Sequence, residues 1–241
     1  MTAAFGPAWA DPRVRDGMAE LLKRRTAAIA AGDRALGWKL AFGAPQSLET
    51  LGLPGPVVGY LTDATARGSG AAVRCADWTQ PAFEAEVAIY LGRGVAAGED
   101  PEAAAQAISG IGPAIELADV DRPPADLADV IAAGIYHRAV LLRGREPGSP
   151  NLRSGAAAAD LRARVTRGGE PLVAVDDPES VVGRPAEIAS YVAAYLGEFG
   201  HALRRGEVII SGSVMPFVTV AAGERLEYEL DPIGKLAVVL A

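Results

Sequence analysis

The chain has 241 residues, half of them apolar and 22% charged, so it can bury about 70–75% of its unfolded surface without staples. Its formal charge of −7, from 30 acidic against 23 basic residues, comes with no basic stripe, which argues against a nucleic-acid partner. One cysteine, Cys75, excludes an intrachain disulfide and fits a reducing, cytoplasmic setting. No apolar run approaches the roughly 20 residues of a membrane span, and no signal-peptide pattern opens the sequence.

Residues 12–31 place Val14, Met18, Leu21, Leu22 and Ile29 at helical spacing, with Lys23, Arg24 and Arg25 as the solvated face. Residues 1–35 thus read as a helical lead-in and 36–241 as one domain. Gly37 to Phe42 reads as a short strand, and residues 46–53 as one helical turn broken by Pro54-Gly55-Pro56. Val57 to Leu61 is a strand with Asp63 just past its end. Phe83 to Leu91, bounded by Pro81 and Gly92, is the clearest strand. Asp100 and Pro101 start a helix over 101–109, which Gly110 and Gly112-Pro113 end, and Ala114 to Leu117 resumes as a strand. A helix at 125–133, a strand at 139–142 and strands near 161–166 and 171–175 follow. A helix from Pro185 to Leu203 carries His201, and the last forty residues read as strands. The 28 glycines and 17 prolines imply many turns. Strands with few, dispersed helices predict an α+β fold of barrel-like character rather than a doubly wound sheet.

Alternation along Phe83-Glu84-Ala85-Glu86-Val87 puts Glu84 and Glu86 on one face, roughly 7 Å apart, and the odd-numbered apolar residues on the core face. Two such carboxylates repel unless water or a cation screens them, so they are either ordinary surface residues or ligands. Glu116 lies inside the apolar run Pro113 to Ala118, where an unpaired charge is costly. It can pair with an arginine, or Mg²⁺ or Mn²⁺ can neutralise all three acids. Lys39 is the one charge in Gly37-Trp38-Lys39-Leu40-Ala41-Phe42. It is either buried against an anion or reaching from an edge strand to water. Cys75 reads as a small buried residue.

The order of Gly37-Trp38-Lys39, Gly59-Tyr60-Leu61-Thr62-Asp63, Phe83-Glu84-Ala85-Glu86, Ile115-Glu116-Leu117-Ala118-Asp119 and Val208-Ile209-Ile210-Ser211-Gly212-Ser213 resembles the fumarylacetoacetate hydrolase superfamily. The nearest branch is the 2-keto-4-pentenoate hydratase and 4-oxalocrotonate decarboxylase group, over about residues 36–240. The resemblance implies a mixed β-sandwich roll with peripheral helices, and Mg²⁺ or Mn²⁺ held by Glu84, Glu86 and Glu116. It implies catalytic roles for Lys39 and Asp63, and a glycine-containing turn, Ser211-Gly212-Ser213, that contacts substrate. The expected activity is a metal-dependent lyase, hydratase or decarboxylase, acting on a small 2-keto acid, in a homo-oligomer. Where relatives carry an Asp-Asn-Ala-Ser-like stretch, this chain has Ala132 to Arg138, which makes His137 a candidate substrate contact. An acylpyruvate-type C–C bond hydrolase, or a non-catalytic binding member, is the alternative. The hydrolase usually needs an N-terminal histidine–glutamate pair, and neither histidine lies in the first 130 residues.

Overall fold

The structure is a computed structural model that describes residues 5–143 and 153–241. Helix α1 (Pro12–Ala30) leads into strand β1 (Ala35–Ala41). Helix α2 (Pro45–Leu51) returns the chain to β2 (Val57–Thr62), and a 3-10 turn at Asp63–Thr65 joins it to β3 (Ala66–Arg67) and β4 (Ala71–Val73). Next come β5 (Pro81–Leu91), α3 (Pro101–Ala105), β6 (Ile108–Asp119), α4 (Leu127–Ala132), β7 (His137–Leu142) and β8 (Arg153–Ser154). The hairpin β9 (Arg162–Arg167) and β10 (Glu170–Val175) precedes α5 (Pro178–Val182) and α6 (Pro185–Glu198). Strands β11 (Val208–Ser213), β12 (Val218–Thr219), β13 (Arg225–Asp231) and β14 (Gly234–Leu240) complete the chain. No described helix is long and apolar enough to cross a membrane.

Among the described residues these strands form a nine-stranded sheet, with the path β2-β1-β11-β5-β6-β7-β3, and a five-stranded sheet, β10-β9-β13-β14-β4. The edges of the larger sheet, β2 and β3, are separated in sequence only by the turn at Asp63–Thr65, so the sheet must curl until its edges nearly meet. The α+β roll expected from the sequence is the fold observed. Its inner face buries Leu36, Leu61, Ala88, Ala114, Val208 and Ile210. Its outer face carries Trp38, Phe83, Ile89, Ile111 and Leu117 into the main core, where α6 packs on β11 and the strands β13 and β14 lie against β6. Both faces of β5 are therefore covered, and Glu86 is buried, not a surface glutamate.

Start signals hold well. Asp11 accepts from the Arg13 amide at 2.8 Å to cap α1, and Asp100 does the same for α3 through Ala103. Three expectations are corrected. The helix beginning at Pro101 stops at Ala105, because β6 runs from Ile108 and pairs with the whole of β5. Its glycines are strand residues, and Pro113 falls between the stretch of β6 that pairs β7 and the stretch that pairs β8, where a missing donor is tolerated. Helix α6 ends at Glu198, so His201 lies beyond it, with its ring edge-on to Trp38 at 6.3 Å. Arg25 is not solvated. It lies over the Trp38 ring at 4.8 Å and reaches Glu207 at 3.8 Å, because α1 crosses this end of the sheet.

Gly37 explains the start of the Gly-Trp-Lys motif. Its φ of +152° and its contact with β11 leave no room for a side chain: an added Cβ would lie 1.8 Å from the Val208 carbonyl oxygen. The register irregularity between Ala35 and Gly37 sits here, and from it the chain sends Trp38 outward and Lys39 inward. The substitution Gly37→Ala is expected to cost about 3 kcal/mol or more of stability, read by urea denaturation. A midpoint indistinguishable from the unsubstituted chain would refute this account of the motif.

Candidate active site

Register brings the acids together. Glu84 on β5 is the direct cross-strand partner of Glu116 on β6, and Glu86 lies one same-face step along β5. Directly opposed side chains sit about 4.5–5.5 Å apart at Cβ, where like charges repel. One carboxylate oxygen from each of Glu84, Glu86 and Glu116 lies within 4.8 Å of the others. Glu86 and Glu116 are buried, while Glu84 is half-buried and lines a cleft.

Lys39 reaches the same cluster from β1. Three strand spacings separate β1 from β6, about 14 Å in a flat sheet. The curl closes that span, and the Lys39 ammonium makes a tight ion pair with Glu116 Oε1. It also donates to the Ile135 carbonyl at 3.0 Å. His137 approaches Glu116 with Nδ1 at 2.8 Å from Oε1 and has Nε2 at 2.9 Å from the Thr65 hydroxyl. Because a carboxylate only accepts, Nδ1 carries the proton, while the Thr65 hydroxyl beside Nε2 also lies 3.1 Å from the Thr62 carbonyl.

The three acids have unequal fates. Burial works to raise Glu116, but Lys39 and His137 outweigh it and hold the carboxyl down at about 2. Glu84 is pushed up to about 7 by burial and by the Glu116 charge, against the pull of Lys39. Glu86 is raised well above the ordinary range by burial and by both neighbouring acids. Glu86 Oε2 accepts from the Gly212 amide at 2.8 Å, whereas Oε1 is buried with no partner. An orphaned buried oxygen facing two other carboxylates fits a divalent cation with oxygen ligands, which would satisfy all three at once.

The stretch Ser211 to Ser213 is the irregular end of β11 rather than a turn between strands. Its register shifts between Ile210 and Ser213, and Gly212, at φ +85°, turns its amide onto Glu86. Ser211 accepts from the Val87 amide at 3.1 Å and donates to the Gly212 carbonyl at 2.9 Å, so its hydroxyl is committed. Ser213 is half-buried and makes only a long contact, 3.5 Å, with the Ala85 carbonyl. Lys39, Glu84 and Ser211 to Ser213 line one cleft of about 730 Å³.

Two expected site residues lie elsewhere. Asp63 does not line the cleft. Because β2 runs antiparallel to β1, the end of β2 lies beside the start of β1, and Asp63 pairs there with Arg34 at 2.7 Å. His137 does not line the cleft: it stands against Glu116 with both ring nitrogens engaged, and burial holds it below its usual range. Sequence reasoning missed the backing group Thr65 and the Ile135 carbonyl. It also missed that Phe42, Ile135 and Tyr136, at φ of 59°, 54° and 63°, all line the cleft. Strain of this kind at bulky residues gathers at functional sites and leaves no mark in composition.

Glu84 and Glu86 titrate higher when folded than unfolded, so the folded chain holds more protons, and stability falls as pH rises through about 7. Glu116, lowered, contributes the opposite way but only as pH drops from 4.5 toward about 2. His137, also lowered, acts only below its ordinary 6.5. Chelator-treated protein is therefore expected to lose about 2–4 °C of Tm between pH 6.5 and 8.5, roughly 1 kcal/mol. The variant Glu84→Gln should flatten that fall. A Tm that rises over this window would contradict the arrangement.

The family model described as fumarylacetoacetate (FAA) hydrolase C-terminal matches residues 39–241. The chain is 29% identical to 2-hydroxyhexa-2,4-dienoate hydratase of Comamonas testosteroni over 214 residues, 87% of this chain and 79% of that one. It is 26% identical to 2-keto-4-pentenoate hydratase 1 of Dechloromonas aromatica (strain RCB) over 216 residues, 88% and 80% of the two. Among solved structures, 4-oxalocrotonate decarboxylase from Pseudomonas putida G7, complexed with magnesium and adipate, has the same fold. Its TM-score is 0.85 at 20% identity, over 95% of this chain and 86% of that one. With the acids, the lysine and the roll already in view, this chain belongs to the fumarylacetoacetate hydrolase family.

Proposed function

We propose that the chain is a divalent-metal-dependent lyase that acts on a small 2-keto or 2-hydroxydienoic acid as a hydratase or decarboxylase. The observation that carries this reading is the cluster of three carboxylates, one with an orphaned buried oxygen, of which Glu84 lines a cleft. The hydratase names of the relatives support the substrate class. Glu84, Glu86 and Glu116 would hold Mg²⁺ or Mn²⁺. What the ion supplies when bound is Lewis acidity toward the carboxylate and keto oxygens of such an acid.

The chain's own residues do the rest. His137 and Lys39 fix Glu116 in its ionised form, so that carboxylate is ready before any ligand arrives. The Gly212 amide orients Glu86. The Lys39 side chain stands beside Glu116 in the cleft, where negative charge grows as a 2-keto acid enolises, and a preorganised ammonium there lowers the barrier. With Asp63 outside the cleft, Lys39 is also the group we assign to hold or move the proton at the substrate's carbon chain. Ser213 offers a hydroxyl to the substrate head. No described histidine lines the cleft, which leaves the water-activating pair of a C–C bond hydrolase without a candidate.

Calorimetry of metal-stripped protein with Mg²⁺ and Mn²⁺, with and without oxalate, tests the platform. One ion per chain is expected, bound more tightly with oxalate and lost in Glu86→Gln. Absence of binding by either metal, with oxalate present, would sink the reading. In turnover, Lys39→Met is expected to lower kcat about 100-fold or more with the metal still bound, and a variant with unchanged kcat would remove Lys39 from the chemistry.

A further inference from the structure

The cleft is charged at one end only. Among the described residues lining it, Lys39 and Glu84 carry the charges, and both stand at the head beside Glu116. Beyond them Phe42, Val120, Tyr136, Val175, Met215 and Phe217 form apolar walls, and Gln46, Ser47 and Thr50 add uncharged polar groups. Phe42 and Tyr136 meet edge to face, with ring centroids 6.2 Å apart. The arginines closest in sequence to this wall are turned away. Arg138 is 2.9 Å from Asp121 and 3.4 Å from Asp119, Arg122 is 2.9 Å from Asp121, and neither lines the cleft. Two large apolar side chains of the lining are exposed, Phe217 at 50% and Val181 at 44%. Large apolar side chains held at the rim of a pocket mark a surface that an apolar ligand covers.

The cleft, open to solvent, has room for a longer acid. A six-carbon keto acid has about nine non-hydrogen atoms. At roughly the 30 Å³ that a water occupies, each such acid fills about 270 Å³. The cleft offers about 730 Å³.

We propose that the substrate is a monoacid with a 2-keto or 2-hydroxydienoic head and an uncharged apolar tail that carries it beyond six carbons. The tail is seated against Phe42, Tyr136, Val175, Met215 and Phe217. This assignment rests on the keto-acid reading above and specifies the other end of the same site. A second carboxylate at the tail would be desolvated against largely apolar walls, with no cation among the described lining residues to meet it. Loss of CO₂ from the far end of the chain needs that carboxylate. Addition of water does not: the hydroxyl goes to one carbon of the conjugated double bond and a proton to its neighbour, with nothing left over. The walls therefore favour hydration.

The test is calorimetry of the Mn²⁺-loaded protein with pyruvate, 2-ketohexanoate, 2-ketooctanoate, 2-ketodecanoate and the diacid 2-ketosuberate. Affinity is expected to rise about fourfold per buried methylene along the monoacid series. 2-Ketosuberate should bind at least tenfold more weakly than 2-ketooctanoate, and Phe217→Arg, a change at an exposed position, should erase that preference. Equal affinity along the series, or preference for the diacid, would overturn the tail assignment while leaving the head reading intact. If Mn²⁺ binds but no keto acid does, pyruvate included, the head reading fails and takes this proposal with it. If Phe217→Arg turns a dimer into a monomer in light scattering while the series stays flat, the mouth is an interface between copies and the assignment is wrong.

Discussion

The ion pair between Lys39 and Glu116 crosses the inside of the roll, and the arrangement of the site depends on it. The partners sit on strands with two others between them, so they meet only because the sheet curls. The pair is buried, and buried charges persist only where every remaining hydrogen-bonding position is met. Here the ammonium also donates to the Ile135 carbonyl, and the carboxylate also accepts from His137, which Thr65 backs in turn. Thr65 belongs to the turn that joins β2 to β3. The segment that closes the roll thus also supports the acid at its centre.

That pair divides the labour among the acids. Once Glu116 is held ionised, its charge and burial make ionisation of Glu84 and Glu86 unfavourable without an added cation. The protein sets one positive charge, Lys39, against three potential negative ones, and a divalent ion would balance the rest. Glu86 is oriented by a single backbone amide, and its other oxygen has nothing to accept from. A purely structural cluster would have no reason to leave an acceptor in that state.

The cleft in front of the acids is shaped by backbone that bulky residues rarely adopt. Phe42 follows β1, and Ile135 and Tyr136 follow α4, all with positive φ. Helix α1 lies against α4 and so braces the segment in which Ile135 and Tyr136 sit. Ile135 delivers its carbonyl to Lys39 and Tyr136 its ring to the wall, so one strained turn serves both the charged head and the apolar body of the site.

By itself, the sequence determined the strand character of residues 83–91, the sidedness of Glu84 and Glu86, the oddity of Glu116 and Lys39 among apolar neighbours, and the family. Those signals are local: alternation, a charge in an apolar run, and motif order are properties of a few consecutive residues. Tertiary structure alone decided that Glu84 faces Glu116 directly, since strand register is set by pairing across β5 and β6. It also decided that Asp63 is left outside while His137 turns to Glu116, because antiparallel pairing carries the end of β2 away from Lys39 and the curl brings β7 toward Thr65. The reach of Lys39, the bulge at Gly212 and the left-handed turn at Ile135 have the same origin. Each depends on where distant strands come to lie, and no window of neighbouring residues contains that information.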